Sequence, residues 1–346
     1  MNNTRNKTTA IFIVGNSRSG TSMISKILGS NSVVFGFNEL HFFEQLWYPE
    51  KPVKPITKEE GTHLFCELIS LQREGLFANR NPKQYYEEIS RYFEPDQKEI
   101  ITAPEVFMDF LLYESKKHDK KIPCEQTPRN LFFIDEILSF YSGAKIICAI
   151  RDPRDVLLSQ KYKWKRRFLG HKRVPVKEVI RSWFNYHPIT ISKLWNSTTR
   201  KILSSLNNEN VHLIQFEELV EQPEIVIKRV CDFLGIDFSE SMLLIPINGS
   251  SIVSDQVGKL GIDKTRKGNF LKGLTTTEIY VCQKITSPLK SKFGYKDVRI
   301  QLNLFSFLAT WTSFPIKLFF ALLLNVQRSR NLFSSIKRRL VLKTAN

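Results

Sequence analysis

Three times along the chain a short apolar run gives way to a polar turn and then to apolar residues spaced three and four apart. The first run, Ala10-Ile-Phe-Ile-Val14, ends at Gly15, and after Gly20 the segment Thr21-Ser-Met-Ile-Ser-Lys-Ile-Leu28 carries its apolar side chains at helical spacing. The second is Ala144-Lys-Ile-Ile-Cys-Ala-Ile150, followed by Arg151-Asp-Pro-Arg-Asp155, where Asp152 can cap a helix and Pro153 can stand in its first turn. The third is Val211-His-Leu-Ile-Gln215, then Phe216-Glu-Glu and a helix predicted over 223–234. Runs this apolar are strands covered on both faces, and strands separated by helices pair in parallel. The pattern predicts an α/β fold, a parallel β-sheet flanked by helices.

Between the first two units, residues 47–131 read as helical. They hold one run over 57–74, another over 82–93, and Thr102-Ala-Pro-Glu105, a capping box opening 106–117. In a parallel α/β protein ligands bind over the carboxyl ends of the strands, where such an insertion sits, so it is expected to be an acceptor lid. Residues 1–300 are assigned to the domain and 301–346 to an extension, and no internal repeat is present. The extension is apolar over 302–326, interrupted by Pro315 and Lys317, and then basic at Arg328, Arg330, Lys337, Arg338, Arg339 and Lys343. A Lys at the centre of a spanning helix costs about 2.5–3.5 kcal/mol. The segment therefore predicts either two shorter amphipathic pieces on an anionic membrane surface or a helix packed on the protein's own core.

Composition narrows the classes. Among 346 residues, 51 Lys and Arg face 34 Asp and Glu, a formal charge of +17, and 42% of positions are hydrophobic. That supports a large core and excludes a collagen-like or disordered chain. The charge calls for an acidic partner but does not choose among nucleic acid, anionic lipid and a phosphorylated small molecule. Five scattered cysteines (Cys66, Cys124, Cys148, Cys231, Cys282) form no CxxC pair, which argues against a disulfide framework or zinc knuckle and suits a reducing compartment. The apolar run near the amino end is too short for a signal-peptide core, so a cytoplasmic location, peripheral to a membrane's inner face if the extension binds lipid, is expected. No metal-spaced cluster of ligating residues occurs and no metal is expected. No nucleic-acid recognition motif occurs either, so nucleic acid is not an expected partner.

The first strand-to-helix turn carries the chemistry. Gly15-Asn-Ser-Arg-Ser-Gly20-Thr21-Ser22 has the glycine spacing of a P-loop, whose backbone N–H groups and helix amino terminus cradle an anion. A nucleotide triphosphatase places Lys where Thr21 stands, and here the cation is Arg18 inside the loop. A doubly anionic group fits such a cradle, gripped by Arg18 in fork geometry with the Thr21 and Ser22 hydroxyls as further donors.

At Arg18-Ser19-Gly20-Thr21-Ser22 the chain resembles the sulfotransferase family, which uses 3′-phosphoadenosine 5′-phosphosulfate (PAPS) as co-substrate. The resemblance implies that Asn16, Ser17, Arg18, Ser19, Gly20, Thr21 and Ser22 hold the 5′-phosphosulfate. Arg151 and Ser159, eight residues on, match the family's 3′-phosphate site, and Ser254 with Arg266, Lys267 and Gly268 resembles the late loop that closes on that phosphate. The likeness runs from about residue 10 to 295, weakest in the insertion, and is nearest to the tyrosylprotein and bacterial carbohydrate branches.

Sulfuryl transfer requires an acceptor in line, a base for its proton, and positive charge on the leaving phosphate and sulfuryl oxygens. Glu39, 21 residues after Arg18, is the first candidate base by likeness to the tyrosylprotein branch, and His41 is the second. A carboxyl working near neutral pH needs a dry pocket, which Phe35, Phe37, Phe42 and Phe43 are placed to provide. Two departures stand out. Gln126, in Cys124-Glu-Gln-Thr-Pro-Arg-Asn130, occupies a position where many relatives carry Lys, with Arg129 the nearest substitute in sequence, and Phe216 replaces a frequent Tyr. The acceptor is open among a carbohydrate, a lipid-linked sugar and a protein Tyr. Another P-loop nucleotide-binding protein, such as a kinase, and a non-catalytic membrane-surface protein remain as alternatives.

Overall fold

The computed structural model describes residues 9–50, 52–93, 100–169, 174–247, 259–326 and 337–338. In chain order the first elements are β1 (Ala10–Gly15), α1 (Thr21–Gly29) and β2 (Val34–Gly36), then β3 (Pro55–Thr57), α2 (Lys58–Glu74), α3 (Tyr86–Phe93), β4 (Ile100–Thr102) and α4 (Ala103–Lys117). The middle of the chain holds β5 (Ile122–Glu125), α5 (Ile134–Phe140), β6 (Ala144–Ile150), α6 (Pro153–Lys161), α7 (Val176–Asn185) and α8 (Pro188–Ser205). Last come β7 (Val211–Gln215), α9 (Phe216–Glu221), α10 (Pro223–Leu234), α11 (Phe270–Gly273), α12 (Thr276–Lys290) and α13 (Leu304–Leu323).

Five strands form one sheet in the order β2-β5-β1-β6-β7, with every pair parallel. The expected α/β architecture is therefore observed. Strand alternation divides β1 between two cores. Phe12 and Val14 pack with Phe65, Phe107, Phe110 and Trp195, whereas Ile11 and Ile13 pack with Ile24, Ile27, Val226 and Ile227 from α1 and α10. Gly15 ends β1 at φ +145°, and a Cβ there would lie 2.2 Å from the Ala149 carbonyl oxygen of β6, so the chain turns out of the sheet where only glycine fits.

Sequence signals fix the helix starts. Thr57 with Glu60 and Thr102 with Glu105 form capping boxes on α2 and α4, and Asp152 accepts from the Arg154 amide to open α6 behind Pro153. The predicted helix over 82–93 is a 3₁₀ turn, Pro82–Tyr85, leading into α3.

Two expectations are corrected. The segment 47–131 is not wholly insertion, because its end holds β5, the strand between β2 and β1. Nor is it a separable lid: Phe65, Phe107 and Phe110 of α2 and α4 are fully buried in the main core. The apolar carboxyl segment is one continuous helix through Pro315, not two pieces. Lys317 does not interrupt it because its ammonium turns inward, 3.2 Å from the Trp183 carbonyl and over the Trp183 ring, where it satisfies the carboxyl end of α7. His187 on Thr310, Arg181 on Asn325 and the Phe184–Phe320 ring pair complete the seam. Of the basic tail, Arg338 is bonded to the Phe132 carbonyl and Glu136, while Arg328, Arg330, Arg339 and Lys343 lie outside the described residues.

Candidate functional site

The anion loop is built as its glycines demand. Between β1 and α1 the backbone runs through positive φ at Arg18 (+80°) and Gly20 (+89°), with the Ser19 amide bonded to the Asn16 carbonyl at 3.1 Å. A non-glycine residue in the left-handed region carries roughly 1–2 kcal/mol of strain, which here turns successive amides to one side. Gly20 also lies flat on Phe216, whose ring a Cβ at position 20 would meet at 2.6 Å. At the start of α1 the Met23 and Ile24 amides already bond to the Gly20 carbonyl, at 2.9 and 3.0 Å, so the Thr21 and Ser22 amides are the ones that precede the helical ladder.

The second anion element converges on the same place. Arg151 leaves β6, passes over the Phe216 ring at 4.2 Å, and donates to the carbonyls of Arg18 and Arg266. The Nε of Arg18 donates to the Ser159 hydroxyl at 2.8 Å, which leaves that hydroxyl's own hydrogen available. Asp155 lies 3.9 Å from Arg151 and takes the Gly268 and Phe270 amides, tying the late loop to α6. Burial lowers the pKa of the Arg151 guanidinium, an environment that a bound dianion would offset. Ser17, Arg18, Thr21, Arg151, Phe216 and Arg266 thus line one cleft of about 270 Å³.

A second cleft, about 780 Å³, continues from it past Phe35, Asn38, His118 and Gln126. Glu39 lines both clefts. Its carboxylate is 44% exposed and stands 3.4 Å from His41 Nε2. The expected dry pocket is incomplete, because Phe42 and Phe43 are buried in the core, and only Phe35 and Phe37 of the four line the second cleft beside the part-exposed carboxylate. His41, at φ +51°, turns the chain and lines neither cleft, which makes it a partner of Glu39.

Sequence reasoning missed Glu125. It is fully buried at the end of β5 and accepts from the Thr127 hydroxyl and amide and from Asn130 Nδ2 at 2.8 Å. Burial pushes its pKa from 4.5 up to about 7, against the pull of Thr127, the Leu40 amide and Asn130, with nearby Glu39 adding to the rise. A carboxyl raised in this way favours the fold while protonated. That contribution is complete below about 4.5 and is lost as pH climbs through about 7. Glu125 holds the loop that carries Gln126 and Pro128 to the clefts, and the Glu-Gln-Thr-Pro spacing was the available signal.

Other assignments need correction. Lys267 is paired with Glu221 at the surface, and the Gly268 amide is occupied by Asp155, so neither lines the cleft that Arg266 does. Arg129, the substitute nearest to Gln126 in sequence, turns away to Glu44 at 3.3 Å. Phe216 carries Arg151 on its face, a contact that needs no hydroxyl. Ser254 lies outside the described residues.

The residues present fit a nucleotide bearing phosphates at both ends. Asn16 Nδ2, Ser19 Oγ and Arg151 Nε are buried polar groups without a protein partner around the loop, and such groups otherwise cost about 1–3 kcal/mol each.

Comparison with known proteins agrees with this geometry. The model described as Sulfotransferase family matches residues 10–240. The 3-beta-hydroxysteroid sulfotransferase of Cavia porcellus is 31% identical over 125 residues, 36% of this chain and 41% of that protein. An uncharacterized Aquifex aeolicus protein is 23% identical over 245 residues, 67% of this chain and 26% of the other. The chain thus spans less than half the length of these curated relatives. Among solved structures, the sulfotransferase domain from the Synechococcus PCC 7002 olefin synthase shares the fold with a TM-score of 0.52 at 18% identity, covering 84% of this chain and 96% of that domain. With a family model matched over more than half its length, on a sheet and loop of this form, the chain belongs to the sulfotransferase family.

Proposed function

We propose that this protein moves a sulfuryl group from PAPS to an acceptor hydroxyl or amine by in-line displacement. The observation that carries the reading is the shared cleft of Arg18 and Arg151, linked through Ser159 and the Arg18 carbonyl, at one side of which Glu39 faces a second opening. Arg18, Thr21, Ser22 and the loop amides hold the phosphosulfate, Arg151, Ser159 and Arg266 hold the 3′-phosphate, and Glu39 takes the acceptor's proton. Positioning and fixed charge supply most of the rate. Thermal unfolding tests it. The product nucleotide 3′,5′-diphosphoadenosine (PAP) at a hundred times its Kd stabilises the fold by about 2.7 kcal/mol without Mg²⁺. Stabilisation by Mg²⁺-ATP with none by PAP would transfer the loop to the kinase reading.

A surface feature bears on the acceptor. The outward face of α13 presents Phe305, Leu308, Trp311, Ile316, Phe319 and Leu323, while its polar residues point to protein, Ser313 to His187 at the start of α8 and Lys317 to the carboxyl end of α7. The helix is long and apolar enough to cross a membrane, yet its inward face is committed to protein. This arrangement supports a helix lying on an anionic membrane, with an amphiphilic acceptor presented there. Full-length protein should sediment with phosphatidylglycerol vesicles. Phe305→Ser and Phe319→Ser should each lower partition about tenfold, from the 1.5–3 kcal/mol of a buried Phe, with PAP binding retained. Equal partition of wild type and variants would reject the membrane.

A further inference from the structure

The two clefts meet on one face of α1. Ser22 and Lys26, a turn apart, line both, together with Glu39, Ile245 and Pro246. Side chains on a helix lean toward its amino end, so Lys26 leans back toward the anion loop, about 6 Å along the axis from Ser22. Gln126, whose buried Nε2 has no partner and whose amide brings no charge, lines the larger cleft together with Lys26. The other cations lining these clefts are committed. Arg18 is bonded to Ser159, Arg151 to two carbonyls, Arg266 to Asp263, and Lys120 to the Asn31 and Ser32 carbonyls. Among the described residues, no hydrogen-bond or ion-pair partner faces the ammonium of Lys26. Lys26 is exposed at the cleft mouth, and partial burial lowers its pKa.

We infer that Lys26 is a catalytic residue of this chain, whose ammonium reaches the junction from α1 to hold the sulfuryl group in flight and supply the charge that Gln126 lacks. The inference rests on the PAPS reading above. In turnover without an acceptor, a water oxygen forms the new bond to sulfur as the bond from sulfur to the bridging phosphate oxygen breaks. Glu39 receives the water's proton, the electron pair stays on the phosphate of PAP, and sulfate leaves. Negative charge gathers on the bridging and sulfuryl oxygens throughout, where a preorganised cation has most effect.

The test uses the full chain, ³⁵S-labelled PAPS and calorimetry with PAP, which has no sulfuryl group. Lys26→Met should lower release of labelled sulfate about a hundredfold, the scale of a lost transition-state donor, with PAP affinity little changed. Adding Gln126→Lys to that variant should recover the loss, because the charge then enters the larger cleft that both residues line. Release unmoved by Lys26→Met, lost in step with PAP affinity, or not recovered in the double variant overturns the assignment. A wild-type chain that fails to bind PAP rejects the PAPS reading itself, a separate failure seen in the same calorimeter.

Discussion

Arg151→Met should reduce PAP affinity at least about a hundredfold, since a charge-assisted fork to phosphate is worth roughly 3 kcal/mol in a partly desolvated cleft. Three contacts fail together: the stack on Phe216 and the bonds to the Arg18 and Arg266 carbonyls. The loss concerns the loop as well as the ligand, because the Arg18 carbonyl belongs to the residue held at positive φ. Arg151→Lys should rescue little, as one ammonium cannot span two carbonyls and a phosphate in the geometry of a guanidinium. Isothermal calorimetry with PAP reads the affinity, and the unfolding midpoint without ligand separates it from stability. Affinity within a few fold of wild type in a folded Arg151→Met protein would remove the 3′-phosphate from this cleft.

The second large effect belongs to Glu39. Glu39→Gln keeps the size of the side chain and its reach to His41 but deletes the proton acceptor, so PAP affinity should hold while label transfer from PAPS to lipid or glycan extracts falls by about 10²–10⁴. His41→Ala should cost less, because the imidazole touches Glu39 at 3.4 Å without lining either cleft. Equal transfer by Glu39→Gln and wild type, with His41→Ala inactive, would exchange the two roles.

Much of this arrangement was legible before any coordinates. The runs that became β1 and β6 are apolar almost throughout, a signal that survives because both faces of these central strands are buried, whereas the edge strand β7 buries only Val211 and Ile214. The capping boxes at Thr102 and the Asp152-Pro153 start are local chemistry and were readable as such. β5 was not, since Ile-Pro-Cys-Glu is four residues long, contains a proline and ends in a buried carboxyl whose partners are formed only by the folded loop. Around Glu39, four phenylalanines close in sequence gave no sign of their directions. The turn at His41 sends Phe42 and Phe43 into the core while the carboxylate stays wet. In α13 the pattern of apolar residues shows two faces but not which one meets the protein, and Lys317 could be placed only once α7 was there to receive it.

The bond from Arg18 to Ser159 has a consequence for which nucleotides the protein admits. One end of that brace belongs to the turn after the first strand and the other to α6, 141 residues later, so on the PAPS reading the spacing between the two phosphate grips is set by the scaffold and not by the guest. A nucleotide phosphorylated at a single ribose position can satisfy one grip and must leave the other bare. If PAPS is the guest, the abundant mono- and triphosphates of a cell lack the second anchor and should bind more weakly than PAP.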